Sequence, residues 1–274
     1  MQKNIKSFDG TKINYDISII SKNFLVFLHG AGGDLTAWKK ERQFFHRKGV
    51  SSIAIDLRGH GKSDRPDNPS DYKLENFARD INEVIKKENI LDFILVGHCF
   101  GGMVAVMFHK LFPQKAKSYI LIDTAYKAPS RITTIFKHHP FFVHLINHIL
   151  SHKDLHKKYF SHVNFYKFAS TGDWNFLRIC SDISHTSFKS WLFTYENIAK
   201  FNGIKIMKSM KNHVLIIEGE NDSIFDVLVA KRIKNLIKNS QLDIIPETNH
   251  IIIISSPKKV EEEIFKFIKY FKGF

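Results

Sequence analysis

The sequence predicts an α/β fold with a mostly parallel central sheet, helices on both faces and one helical insertion. Three observations predict it. Strand-length apolar runs alternate with segments of helical periodicity, polar residues that can carry chemistry stand just after several runs, and the alternation stops between residues 125 and 206. Because the carboxyl ends of parallel strands meet at one edge of a sheet, those polar residues are expected to share one site.

The elements follow one another along the chain. Apolar runs predict strands over residues 12–19, 24–28, 51–55, 93–96, 118–122, 214–217 and 242–245. Helical spacing of the apolar residues predicts helices over residues 75–87, 103–111 and 257–271. Pro113 ends the second of these helices.

The alternation divides the chain into a core and an insertion. Residues 125–206 show no clear strand and are rich in Phe, His and Lys. We therefore predict a core domain of residues 1–124 and 207–274, with a helical cap formed by residues 125–206. A cap inserted between two halves of the sheet is expected to cover the active site and to choose the substrate.

Composition restricts the class of protein. Hydrophobic residues make up 43% of the chain and charged residues 25%, as in a soluble globular protein. Only two cysteines are present, Cys99 and Cys180, which is no disulfide framework and fits a reducing compartment. The N-terminus shows no apolar signal segment, and the longest apolar runs are too short to cross a bilayer. The expected location is the cytoplasm.

The chain is strongly basic, with 41 Lys and Arg against 27 Asp and Glu and a formal net charge of +14. Such a surface attracts an anionic part of a substrate or, weakly, a membrane surface, although an AT-rich coding bias also explains the excess. No nucleic-acid-binding motif is present, so no nucleic acid is expected as a partner. Neither a dinucleotide fingerprint nor a Walker pattern is present, so no cofactor is expected. The expected partner is a small-molecule acyl substrate.

The strongest local pattern is Gly97-His98-Cys99-Phe100-Gly101, between a predicted strand and a predicted helix. It is the pattern G-x-S-x-G with cysteine in the position of serine. Glycines are needed because the strand must turn sharply into the helix with the nucleophile at the apex. The start of a helix also favours the thiolate form of a cysteine. Cys99 is therefore the predicted nucleophile.

An acid and a late histidine follow the nucleophile in the order that this arrangement requires. Asp222 and His250 each stand just past a predicted strand. His250 is expected to take the thiol proton and later to activate water, while Asp222 fixes its tautomer and stabilises the imidazolium. Asp123 also ends a strand and remains an alternative acid. Glu218 and Glu220 are interpreted as ordinary surface or loop acids.

Together these motifs resemble the α/β-hydrolase fold superfamily, in its capped esterase and lipase-like branch, over nearly the whole chain. Besides the elbow at residues 97–101, the resemblance rests on Leu28-His29-Gly30, Asp56-Leu57-Arg58-Gly59-His60-Gly61-Lys62-Ser63, Gly219-x-x-Asp222 and Asn249-His250. It implies a hydrolase of carboxylic esters or thioesters that forms an acyl-Cys99 intermediate. It also implies that the backbone N–H groups of Ala31 and Phe100 form the oxyanion hole.

The chain departs from the usual pattern of that superfamily in two places. Cys99 replaces serine, as in dienelactone hydrolases and polyhydroxyalkanoate synthases, and Asn249 stands where glycine often precedes the histidine. A thioester intermediate leaves acyl transfer open as an alternative to hydrolysis. A non-catalytic ligand-binding protein on the same fold is a third reading. Epoxide hydrolases and haloalkane dehalogenases use an aspartate at the elbow, which this chain lacks.

Other residues are interpreted as structural. The cap carries four histidines at intervals of four, His144, His148, His152 and His156, which would share one helical face. No Cys, Asp or Glu cluster joins them, so a solvated basic face is expected rather than a metal site. His98 is expected to pack beneath the elbow. The aromatic residues Phe188, Trp191 and Phe193 are expected in the core of the cap, with some cap aromatics lining an acyl pocket.

Overall fold

The computed structural model describes residues 1–128 and 162–271, which contain one eight-stranded sheet. The strands are β1 Gln2–Lys6, β2 Lys12–Ser18, β3 Asn23–Leu28, β4 Ser51–Ile55, β5 Asp92–His98, β6 Ser118–Ile122, β7 Val214–Gly219 and β8 Ser240–Ile245. Their order is β1-β2-β4-β3-β5-β6-β7-β8. β2 is antiparallel to both β1 and β4, and all other neighbours are parallel. The predicted mostly parallel sheet is confirmed.

Helices cover both faces of this sheet. In the described residues they are α1 Lys39–Arg47, α2 Leu74–Lys87, α3 Phe100–Leu111, α4 Phe176–Thr186, α5 Phe188–Ala199, α6 Ile204–Ser209, α7 Val227–Leu236, α8 Ile252–Ser255 and α9 Pro257–Ile268. Three short 3₁₀ turns cover Leu35–Trp38, Pro69–Tyr72 and Phe165–Phe168. On β3, Val26 packs into the cluster with α2 and α3, while Phe27 packs into the cluster with α1 and α9. Successive strand residues point to opposite faces, so both faces are buried.

Several elements are not predicted by the sequence patterns, among them β1, α1 and α7. β1 buries only Ile5, because it is an edge strand whose other residues are exposed or half-buried. The helix α1 has few apolar residues and buries only Glu41 and Phe45. The helix α7 is short and buries only Ala230, Ile233 and Leu236, which lie on one face. Elements that bury only one to three residues have weak sequence patterns, and packing against the rest of the sheet and its helices stabilises them.

The described part of residues 125–206 carries α4 and α5 but no strand of the sheet, apart from the isolated bridge Lys127–Asn202. This agrees with a helical insertion, and the predicted boundary at residue 206 falls inside α6. The four histidines at intervals of four lie outside the described residues. None of the helices in the described ranges has the length and apolar character needed to span a membrane.

The loop after β4 is held by buried hydrogen bonds. Asp56 Oδ1 accepts the N–H of Leu35 over 2.8 Å, and Oδ2 accepts the N–H of Lys62 over 2.9 Å. Arg58 is fully buried and donates from Nε and Nη2 to the two carboxylate oxygens of Asp80, each over 2.7 Å. These contacts are those of a structural loop.

Candidate active site

Cys99 occupies a sharp turn between β5 and α3. Its backbone has φ 51° and ψ −113°, a conformation that residues other than glycine rarely adopt. Two hydrogen bonds to the β6 segment hold the turn: the N–H of Cys99 donates to Ile122 O over 2.9 Å, and Thr124 Oγ1 donates to Cys99 O over 2.7 Å. The thiol is partly exposed, whereas its neighbours in the turn are buried.

The two glycines of the elbow are required by close packing of the main chain. A Cβ on Gly97 would lie 2.4 Å from Gly101 O, and a Cβ on Gly101 would lie 2.4 Å from Leu28 O. Both obstacles are backbone atoms, which cannot move aside as the end of a side chain can. The spacing of the motif is therefore a steric requirement of the turn.

His250 and Asp222 meet at the ends of β7 and β8. His250 Nδ1 lies 2.7 Å from Asp222 Oδ2, and Asp222 Oδ1 accepts the N–H groups of Ile224 and Phe225 over 2.7 and 2.9 Å. The two loops are joined by the N–H of Asn221, which donates to Thr248 O over 2.8 Å. Three donors on one carboxylate favour its ionised form.

His250 interacts with Cys99 as well as with Asp222. Burial acts to lower the pKa of His250, but negative charge on Cys99 and Asp222, together with hydrogen bonds to both side chains, raises that pKa well above its ordinary value. The protonated imidazolium is thus stabilised from two sides. The structure brings Cys99, His250 and Asp222 together, with the imidazole of His250 interacting with both of the other side chains.

Asp123, the alternative acid, has a different environment. It follows β6, is fully buried, and accepts the N–H of Gly219 at Oδ1 over 2.8 Å. Its Oδ2 lies 3.9 Å from His98 Nε2 and makes no hydrogen bond within the described part of the chain. Burial raises the pKa of Asp123 well above its usual range. Of the two candidate acids, Asp222 holds the hydrogen bond to His250.

Glu218 is not the surface or loop acid that the sequence suggests. It lies in β7 and is 0% exposed, because the strand is central and both of its faces are covered. Its carboxylate oxygens lie with those of Asp123 and Asp222 in one cluster whose atoms are within 4.8 Å of one another. Burial, followed by the charges of Asp123 and Asp222, raises the pKa of Glu218 to about 11.

His98 lies beneath the elbow, as predicted, and also contacts the loop of His250. Its Nε2 donates to His250 O over 2.8 Å. Burial and the nearby charge of His250 lower the pKa of His98 to about 3. His98 therefore stays neutral and keeps its donor on the main chain of His250.

The segments that carry the predicted oxyanion donors both border Cys99. Phe100 is the first residue of α3, so its N–H has no acceptor within the helix. A Cβ on Gly30, the neighbour of Ala31, would lie 3.2 Å from Cys99 Cβ. His29 orients this loop, since its Nδ1 donates to Gly30 O over 2.8 Å while its Nε2 accepts the N–H of Leu57 over 3.1 Å.

Asp173 is a site residue that the sequence analysis missed. Its Oδ1 accepts the N–H of His250 over 2.9 Å, and its Oδ2 accepts the N–H and the hydroxyl of Ser223 over 3.0 and 2.8 Å. One buried carboxylate of the predicted cap thus connects the loop of His250 with the loop of Asp222. Asn249 adds a second link, because its Nδ2 donates to Thr171 O over 3.0 Å. No motif surrounds Asp173 that would have identified it.

Residues of α4 and α5, in the predicted cap, interact with the loop of Gly32 and with Cys99. A Cβ on Gly32 would lie 2.7 Å from Asp182 Cβ on α4. Burial raises the pKa of Tyr195 on α5, and negative charge on Cys99 adds to this effect. The rings of Trp191 and Tyr195 are 4.3 Å apart. Of the aromatic residues predicted in the core of the cap, Phe193 is fully buried and Trp191 is half-buried beside Tyr195. The prediction is wrong for Phe188, which is 47% exposed.

Comparison with known proteins agrees with this architecture. The family model described as alpha/beta hydrolase fold matches residues 23–144. Epoxide hydrolase 4 of Homo sapiens is 24% identical over 276 residues, which covers 90% of this chain and 73% of the relative. The Putative esterase/lipase 2 of Mycoplasma genitalium is 32% identical over 101 residues, or 37% of each chain.

Solved structures show the same fold over almost the whole chain. The esterase EaEST from Exiguobacterium antarcticum superposes with a TM-score of 0.75 and 20% sequence identity, covering 98% of this chain and 100% of the esterase. At that identity the likeness concerns the fold.

Proposed function

Because the chain has the α/β-hydrolase fold, we propose that it hydrolyses carboxylic esters or thioesters through an acyl-Cys99 intermediate. The proposal rests on the environment of His250, whose Nδ1 is hydrogen-bonded to Asp222 Oδ2 over 2.7 Å. Burial acts to lower the pKa of His250, but the charges on Cys99 and Asp222 raise it. The Mycoplasma relative named as an esterase/lipase and the esterase structure with the same fold support the hydrolase class.

Acylation begins when His250 takes the proton of the Cys99 thiol. The thiolate sulfur forms a bond to the carbonyl carbon of the substrate, and the carbonyl oxygen becomes an oxyanion. The N–H groups of Ala31 and Phe100 donate to that oxygen. Collapse breaks the bond to the alcohol or thiol, which leaves with the proton from His250, and Cys99 holds the acyl group as a thioester.

Deacylation repeats these steps with water. His250 takes a proton from a water molecule, whose oxygen attacks the thioester carbonyl. The intermediate collapses to a carboxylic acid, and Cys99 regains its proton from His250. Asp222 stays ionised throughout and stabilises the imidazolium in both halves of the cycle.

Acyl transfer is the alternative function, and the cysteine nucleophile supports it because the intermediate is a thioester. A thioester at Cys99 can pass its acyl group to an alcohol, amine or thiol when the helices of the predicted cap exclude water. The packing of Asp182 on α4 close to Gly32, and the electrostatic interaction of Tyr195 with Cys99, support such a cover. Product analysis with and without an added alcohol or thiol acceptor separates transfer from hydrolysis.

The human relative is named an epoxide hydrolase, so epoxide hydrolysis is a further activity to test. The elbow aspartate that epoxide hydrolases of this superfamily use is absent, and Cys99 stands in its place. The proposal therefore predicts turnover of esters or thioesters and none of a simple epoxide such as styrene oxide.

The proposal is tested with purified protein, p-nitrophenyl esters of increasing acyl length, acyl thioesters and styrene oxide. Cys99→Ala should lose ester or thioester turnover, while the matched variant Cys180→Ser, which removes the exposed thiol on α4, should keep it. Ester turnover by Cys99→Ala at the wild-type rate would refute the proposed intermediate. Binding of an acyl compound without turnover would favour the ligand-binding reading.

A further inference from the structure

Glu218 is a buried carboxyl that lacks any hydrogen-bond donor in the described structure. It is 0% exposed, and neither Oε1 nor Oε2 has a partner there. A buried carboxylate without donors or a counter-charge is very unfavourable in free energy, so the group must be neutralised. Either a proton or a cation has to do this.

The neighbours of Glu218 are other carboxyl groups and one histidine. Oxygens of Glu218, Asp123 and Asp222 lie within 4.8 Å of one another, and His250 is the cationic group that faces them. Among the described residues, Asp222 accepts three hydrogen bonds, Asp123 accepts one from Gly219, and Glu218 accepts none. Since donors favour the charged form of a carboxyl, the negative charge belongs on Asp222.

A carboxyl whose neighbours are acceptors can bond to them only by carrying its own proton. We propose that Glu218 is a positioning residue for the proposed hydrolase, a carboxylic acid whose O–H donates to the Asp222 carboxylate. This donor holds Asp222 in the orientation in which its Oδ2 receives His250 Nδ1. The inference rests on the proposed function, since Asp222 matters to turnover only as the partner of His250.

The pKa of Glu218, raised to about 11 by burial and then by Asp123 and Asp222, agrees with a proton held at neutral pH. A cation is the other means of neutralisation. It would need ligand oxygens, but both oxygens of Asp222 already accept donors that the fold fixes. A proton on Glu218 leaves those bonds intact.

The test compares Glu218→Gln, whose amide can still donate, with Glu218→Leu, which cannot. Glu41 provides the matched control, because it is also 0% exposed with both oxygens unpartnered, yet it lies on α1 against α9. Glu218→Leu should lower kcat about tenfold with little change in KM, and Glu218→Gln should restore most of the loss. Glu41→Gln and Glu41→Leu should leave kcat per folded enzyme unchanged.

Two further readouts separate positioning from simple packing. The limb of the kcat/KM pH profile that His250 sets should move in Glu218→Leu and stay in place in Glu218→Gln. In infrared difference spectra at neutral pH, Glu218→Gln should lose a C=O stretch of a protonated carboxylic acid. This second readout needs no activity and remains valid if Glu218→Leu fails to fold.

Loss of a carboxylate band instead, or stability of the wild type that depends on a cation removed by EDTA, would overturn the proposal. Wild-type kcat and pH profile in both Glu218 variants would overturn the positioning role. Full activity of Cys99→Ala would instead refute the proposed function, whatever the spectra of Glu218 show.

Discussion

The N–H of His250 donates to Asp173 Oδ1 over 2.9 Å, so a residue of the predicted cap is bonded to the main chain of the proposed base. Asp173 Oδ2 accepts two hydrogen bonds from Ser223, the neighbour of Asp222. Base and acid are thus held in register by a side chain that touches neither reacting atom. Asp173 of the predicted cap thus links the loops that carry His250 and Asp222.

Asp173→Ala is expected to lower kcat about 10- to 100-fold, because a small displacement of His250 or Asp222 costs much of the preorganisation. Asp173→Asn keeps one acceptor and should fall between wild type and alanine. The matched control is Asp226→Ala, which removes an exposed N-cap carboxylate of α7 and should cost about 1 kcal/mol of stability but no kcat. Steady-state kinetics and urea denaturation of the three variants decide the matter, and an unchanged kcat in Asp173→Ala would contradict the link.

The pH dependence of His250 follows from its charged neighbours. Burial acts to lower its pKa, but Cys99 and Asp222 raise it well above the ordinary value of 6.5. A raised pKa in the folded state contributes stability that is fully present below pH 6.5 and is lost as pH rises through the raised value. Asp222→Asn should lower the pKa of His250 and diminish this contribution.

An NMR titration of the His250 imidazole in wild type and Asp222→Asn measures the shift directly. The difference in unfolding free energy between the two proteins should shrink from about pH 6.5 towards alkaline pH. Identical titration curves would contradict the assignment of Asp222 as the partner of His250.

Gly101→Ala is expected to prevent correct formation of the elbow. The added Cβ would lie 2.4 Å from Leu28 O, a backbone atom of a central strand, so folding or the position of Cys99 must suffer. Gly172→Ala is the control, because nothing lies within 4 Å of its Cβ position. Soluble yield, thermal unfolding and ester turnover should all fall in the first variant and stay near wild type in the second.

Asp80→Ala tests the structural reading of the loop after β4. Arg58 is fully buried and would lose its two-pronged partner, which is expected to cost about 3 kcal/mol of unfolding free energy. Glu83→Ala removes the exposed pair with Lys86 and one hydrogen bond from Asn82 Nδ2, and it should cost about 1 kcal/mol. Activity per folded molecule should be retained in both, and a large drop in kcat for Asp80→Ala at full folding would assign that loop a catalytic role.

The sequence predicts the parts of the site whose chemistry is tied to a local pattern. Cys99 is flanked by glycines that its turn requires, and Asp222 and His250 each follow an apolar strand, so strand ends and chain order place them together. Asp123 also follows a strand and therefore remained an alternative acid, since no sequence pattern reveals which carboxylate is hydrogen-bonded to His250 Nδ1.

What the sequence could not reveal depends on contacts between distant segments. Asp173 acts through the main chain of a residue 77 positions away, and no periodicity marks it. In the sequence, Glu218 is a polar residue that follows an apolar run. It is buried because both faces of β7 are covered, which the local sequence does not show. The edge strand β1 was not predicted, because a half-exposed strand contains few apolar residues.

The most direct test of the account is intact-protein mass spectrometry after rapid mixing with a p-nitrophenyl ester or acyl thioester and acid quenching. Wild type and Cys180→Ser should show a transient mass increase of one acyl group, which peptide mapping places on Cys99, and Cys99→Ala should show neither adduct nor turnover. Steady turnover without any adduct, together with full activity in Cys99→Ala, would contradict the acyl-Cys99 mechanism.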